Sequence, residues 1–108
     1  MLRYVHFIET SIFTRQITGL LEDNEFRFLQ LTLAANPEAG DLIRGSGGLR
    51  KMRWSRKGKG KRGGIRVIYY LIKGDEIYLL FAYPKNKQEE LTADQLKILK
   101  QYVQEELQ

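Results

Sequence analysis

Two dense apolar runs, IRVIYYLI (Ile65–Ile72) and IYLLFAY (Ile77–Tyr83), are separated only by Lys73-Gly74-Asp75-Glu76. β-Branched and aromatic side chains dominate both runs, and the tetrapeptide between them has the composition of a hairpin turn. Strands this apolar belong in the middle of a sheet covered on at least one face. Both runs are strand-sized, far below the roughly 20 residues of a membrane span. No membrane partner is expected.

The other segments are read around that hairpin. Arg3–Ile8 is a strand by composition. A helix is expected from Ser11 to Leu21, with Thr10 or Ser11 as its cap and Ile12, Phe13, Ile17, Leu20 and Leu21 on its apolar face. A second is expected over Glu25–Ala35, capped by Asp23 or Asn24, with Phe26, Leu29 and Leu33 as its stripe and Phe28 and Leu31 widening it. Asn36-Pro37 ends it, because the residue before proline is pushed out of the helical region. Gly40–Gly48 reads as loop. Leu49–Trp54 alternates, with Leu49, Lys51 and Arg53 on one side and Arg50, Met52 and Trp54 on the other. Thr92 and Gln95 have capping-box spacing and open a final helix to about Glu106. The order is β-α-α-β-β-β-α, an α+β fold with helices packed on a mostly antiparallel, twisted sheet.

The 108 residues suit one domain, residues 1–108, and contain no cysteine. That fits a reducing compartment, and the N-terminal MLRYVHFIET lacks a signal-peptide pattern, so a cytoplasmic protein is expected.

The net charge of +5 is unevenly spread. Leu42–Gly74 holds eleven of the 18 basic residues and none of the 13 acids, leaving seven basic residues against every acid elsewhere. Such a footprint points to a polyanion or an acidic partner, although a charged edge that only resists aggregation has the same composition. Its centre, KGKGKRGG, has the glycine spacing of a Walker loop without the Lys-Ser/Thr that must follow, which excludes a nucleotide-binding P-loop. Glycines allow close approach of a phosphate chain, and the cations add charge. Arg50, Arg56, Lys57, Lys59, Lys61 and Arg62 are the candidate backbone-binding residues.

Little else has catalytic character. The one histidine, His6, lies in a strand, and no metal-ligand spacing occurs, so neither metal nor cofactor is expected. Glu89-Glu90 reads as acid placed before a helix N-terminus. A hairpin around the basic loop brings Lys51 or Arg53 near Arg66, a site for a phosphodiester and for the charge of its transition state. The alternative is that Arg66 pairs with Asp75 or Glu89 while Lys51 and Arg53 are merely exposed. Trp54, Tyr69, Tyr70, Tyr78 and Tyr83 are nearby aromatics, of which Tyr83, beside Pro84 and Lys85, is the one expected to be exposed for base stacking.

The stretch GDLIRGSGGLRKMRWSRKGKGKRGGIRVIYY, followed by YLLFAYPKNKQEELTADQ, resembles the RelE/HigB-like toxins of bacterial type II toxin–antitoxin modules, closest to the HigB branch. The resemblance spans nearly the whole chain. It implies the RelE-like fold and ribosome-dependent cleavage of mRNA in the A site, without metal, using the substrate 2′-OH as nucleophile. It also implies a helix-turn-helix, HigA-like antitoxin and contacts with the 70S ribosome and ribosomal RNA. Lys51 and Arg53 match the family's paired basic residues, one a general base and both phosphate ligands. Arg66 matches the arginine that stabilises the transition state. Lys85 matches a basic residue after the last strand; Asn86 and Thr92 stand where some members have arginine and tyrosine. Tyr83 and Lys87 are candidates to take over part of that work. A non-nuclease toxin of the same superfamily, ParE-like and directed at gyrase, and a simple RNA-binding module are the competing expectations.

Overall fold

The computed structural model describes residues 4–56, 63–73 and 75–108. The candidate cations Lys57, Lys59, Lys61 and Arg62, the turn residue Gly74 and Arg3 lie outside the described residues. The elements are β1 (His6–Glu9), α1 (Ser11–Leu20), α2 (Asp23–Ala35), β2 (Asp41–Leu42), β3 (Leu49–Trp54), β4 (Ile65–Ile72), β5 (Glu76–Pro84) and α3 (Ala93–Tyr102). Beyond α3 the chain continues through Val103–Leu107 in wider, π-type turns. The protein is therefore α+β, as the alternation and periodicity predict. No helix among the described residues is long and apolar enough to cross a membrane.

The sheet order is β1-β5-β4-β3-β2. β1 runs parallel to β5, and every other pairing is antiparallel. β2 is a correction to the reading of Gly40–Gly48 as loop. Asp41 and Leu42 pair with Lys51 and Arg50, and the Ile43 N–H donates to the Leu49 carbonyl at 2.8 Å. Two residues are too few to leave an alternation in the sequence.

Local chemistry fixes the helix ends. The Thr10 hydroxyl accepts from the Phe13 N–H at 3.0 Å and donates to the Leu80 carbonyl at 3.0 Å, so one side chain caps α1 and ties it to β5. α2 starts earlier than expected because Glu22 caps it, with Glu25 accepting from the Glu22 N–H at 3.4 Å. Thr92 and Gln95 form the expected capping box of α3.

Both faces of the sheet are covered. Phe13, Ile17, Leu29 and Leu33 of α1 and α2 pack on Met52, Val67, Tyr69, Ile77 and Leu79, whereas Ile12, Phe28 and Leu31, expected on the same faces, lie at their margins and are exposed. On the other face Leu96, Leu99 and Val103 pack on Leu49, Ile68, Leu80 and Tyr83. This double cover explains why β4 and β5 show apolar runs rather than alternation. A bulge between Ile68 and Tyr69 interrupts the β4–β5 register and sets Leu80 and Phe81 against the same cluster.

One buried tyrosine anchors the chain after α2. The Tyr69 hydroxyl donates to the Pro37 carbonyl at 2.7 Å and accepts from the Gly40 N–H at 2.8 Å. A Cβ at Gly40 would lie 2.7 Å from Tyr69 Cε1, so glycine permits the approach.

Candidate nucleic-acid interface and active site

The β3–β4 register sets the geometry of the site. Arg53 is the cross-strand partner of Arg66, and Lys51 that of Ile68. Across β4, Arg66 in turn faces Tyr83 of β5. Directly opposed residues have Cβ atoms about 5 Å apart, and diagonal neighbours about 7–8 Å. Arg53 and Arg66 therefore stand side by side, with Lys51 one diagonal step away, all on the α3 side of the sheet. The expected convergence of the three cations is found.

Their burial differs. Lys51 and Arg66 are buried, whereas Arg53 is exposed. Of the alternative reading, the Arg66–Glu89 pair and the exposed Arg53 are found, whereas Lys51 is not merely exposed. Alternation turns its side chain into the angle between the sheet and the Lys85–Leu91 segment, which carries Glu90 to its ammonium. A buried cation needs a partner, and each of the three has an acid. Lys51 Nζ donates to Glu90 at 2.7 Å, Arg66 pairs with Glu89 at 3.4 Å, and Arg53 pairs with Asp41 at 3.1 Å. The Lys51 ammonium holds the Glu90 carboxyl below the usual carboxylate range, first by this hydrogen bond, with Arg53 and Arg66 contributing through space.

The sequence reading assigned Glu89 and Glu90 to the start of the last helix. That is corrected, because α3 starts at Ala93 under the Thr92 cap, while both carboxylates turn back to the sheet. The signal was present in the sequence. Leu42–Gly74 contains no acid, so its buried cations have to recruit partners from outside it. Asp41, Glu89 and Glu90 flank that segment on either side.

Tyr83 is also corrected. It is only 4% exposed, since its parity on β5 puts it beneath the returning Lys85–Leu91 segment. Its hydroxyl lies 3.5 Å from the Glu89 carbonyl. Burial, and after it the nearby Glu90 carboxylate, pushes the phenol up to about 12. The ring is a wall of the site rather than an open stacking platform.

The remaining candidates divide. The Lys85 N–H donates to the Gly64 carbonyl at 2.9 Å and so extends the β4–β5 pairing to the site's edge. Asn86 and Lys87 are exposed in the turn that follows. Arg50 points to the opposite face, where it donates to the Gly40 carbonyl at 2.7 Å and pairs with Glu38. Arg56 donates through Nε to the Gly63 carbonyl, and it lines a surface pocket with Phe28 and Trp54 on the α2 side. Neither Arg50 nor Arg56 joins the three-cation cluster.

Three cations with exposed counter-acids make a seat for an anion with several oxygens. In a comparison of the chain with known families, the model of the family described as the RelE toxin of the RelE/RelB toxin–antitoxin system matches residues 13–108. The matched region includes α2, β2 to β5, α3 and every candidate cation. The chain belongs to the RelE toxin family.

Proposed function

We propose that this toxin is of the HigB branch and cuts translated mRNA in the A site of the 70S ribosome, in the cytoplasm. Toxins of its family are generally endoribonucleases that inhibit translation. The observation that carries the reading is the Arg53–Arg66 pairing with buried Lys51 beside it. Like charges directly opposite one another on a sheet are destabilising, so a structural role alone does not account for them.

In the proposed reaction the substrate 2′-oxygen attacks the adjacent phosphorus and its proton passes to a base. The bond to the 5′-oxygen breaks, and that oxygen takes up a proton. A 2′,3′-cyclic phosphate and a 5′-hydroxyl result, and addition of water to the cyclic ester, with cleavage of its 2′-oxygen bond, gives the 3′-phosphate. Arg66 and Arg53 hold the non-bridging oxygens, whose charge rises in the pentavalent transition state. Lys51 supports the same phosphate and, as the neutral amine, is the base that takes the 2′-OH proton, because a guanidinium does not give up its proton. Lys85, Asn86 and Lys87 border the seat, and the basic segment around Arg56 to Arg62 contacts ribosomal RNA. Membership in the family implies an antitoxin partner; we take it to be a helix-turn-helix protein of the HigA type.

Primer extension on an mRNA in a purified translation system tests the reading. Cuts within codons that need ribosomes and vanish with Arg66→Ala are the expected result. Intact message alongside growth arrest would turn the assignment toward a gyrase-directed toxin.

A further inference from the structure

The seat is filled by the protein's own acids, and the two sides of each contact are unequal. The side chains of Lys51 and Arg66 are only 10% and 8% exposed, while those of Glu90 and Glu89 are 73% and 63% exposed. The cations are built into the sheet. The acids reach them from the surface and can turn away into water without disturbing the core.

The segment bearing the acids is tethered on both sides. On one side the Lys85 N–H donates to the Gly64 carbonyl and the Lys87 N–H to the Pro84 carbonyl at 3.1 Å. On the other, Gln88 Nε2 donates to the Glu90 carbonyl at 3.0 Å and to Gln95 Oε1 at 2.8 Å. Release of the acids therefore needs only side-chain rotation. Arg66 meets Glu89 through a single nitrogen at 3.4 Å, and its other terminal nitrogen donates to its neighbour's carbonyl, Ile65, at 3.3 Å. A phosphate gripped by both arms of the fork is a better ligand than this carboxylate.

We propose that Glu89 and Glu90 are specificity-determining residues, internal counter-anions that keep free RNA off Lys51 and Arg66 and yield to a phosphodiester already held in place. This rests on the reading of the seat as the phosphate site of an mRNA nuclease. An RNA in solution competes with two tethered carboxylates at high effective concentration. An mRNA fixed on a ribosome has a high effective concentration of its own and displaces them. The acids thus discriminate against untranslated RNA without any contact to a base.

The test is binding of a short 2′-O-methylated RNA, which has no 2′-OH to attack, read by fluorescence anisotropy at one salt concentration. Glu89→Gln/Glu90→Gln should bind about tenfold tighter than the parent, and adding Arg66→Ala should abolish the gain. Glu105→Gln/Glu106→Gln makes the same change in net charge away from the seat and should gain less than about threefold. Unchanged or weaker binding by Glu89→Gln/Glu90→Gln overturns the proposal, as does an equal gain in the charge control or a gain that survives Arg66→Ala. Failure of the nuclease reading shows itself separately, as a lack of codon-internal cuts in the translation assay.

Discussion

Arg53 on β3 and Arg66 on β4 face each other across one rung of the sheet, and their acids come from different parts of the chain. Asp41 reaches Arg53 from β2, and Glu89 reaches Arg66 from beyond β5. The arrangement gathers charge at a place where a sheet built only for stability would put apolar or oppositely charged pairs.

Arg66→Met should separate function from stability. Its guanidinium is buried and its partner Glu89 exposed, so the variant leaves no stranded buried charge and relieves the contact with Arg53. Stability in denaturant should stay within about 1 kcal/mol of the parent or rise. Cleavage in the translation system should fall about a hundredfold or more.

Lys51→Met should release the Glu90 carboxyl. In the parent that carboxyl titrates below the usual range because Lys51 holds it. A carboxyl depressed in the folded state supports the fold above its unfolded value, and the support is lost as pH falls through the depressed value. Carbon-detected NMR should show the Glu90 titration move up in the variant, and acid unfolding should lose that contribution.

Tyr83→Phe should remove a late-titrating phenol. Ultraviolet absorbance of the parent should contain a component near 12, against the ordinary 10.0, and the variant should lack it. The raised value means that this contribution to stability is intact below pH 10 and disappears as pH climbs through about 12. Because the hydroxyl makes only a long contact with the Glu89 carbonyl, the change should cost less than about 1 kcal/mol. Message cleavage should stay near the parent level.

Gly40→Ala should be damaging through the Tyr69 anchor. Its new methyl would meet Tyr69 Cε1 at 2.7 Å and the hydroxyl oxygen at 2.9 Å, and that ring is fully buried. A loss of about 1–3 kcal/mol is expected in thermal or denaturant unfolding.

The sequence was most legible where local chemistry and burial agree. The β4–β5 hairpin, both early helices and the Thr92–Gln95 cap of α3 follow from runs, stripes and spacing. The parity of Leu49–Trp54 was enough to put Lys51, Arg53 and Arg66 on one side. Partners from distant segments are legible only in part: Glu89 stands among the alternatives for Arg66, whereas Glu90 does not stand out as a partner of Lys51. The acid reaching Lys51 is 39 positions away, and nothing local to Glu90 distinguishes it from a helix-start acid. Tyr83 was misjudged for the same reason, since the segment that covers it follows the strand end and turns back over it. β2 escaped because its two residues are defined by their neighbours rather than by a pattern of their own.

Among the described residues β1 pairs only with β5, whose matching residues arrive 70 positions later, as His6 with Glu76. The first strand made is thus among the last to find its place. During synthesis the chain exposes its arginine-rich middle before Glu89 and Glu90 exist to neutralise it. A ribosome making this protein carries a half-built cationic face that has Asp41 but neither Glu89 nor Glu90. The paired state of Lys51 and Arg66 is reached only once the segment beyond β5 has been made.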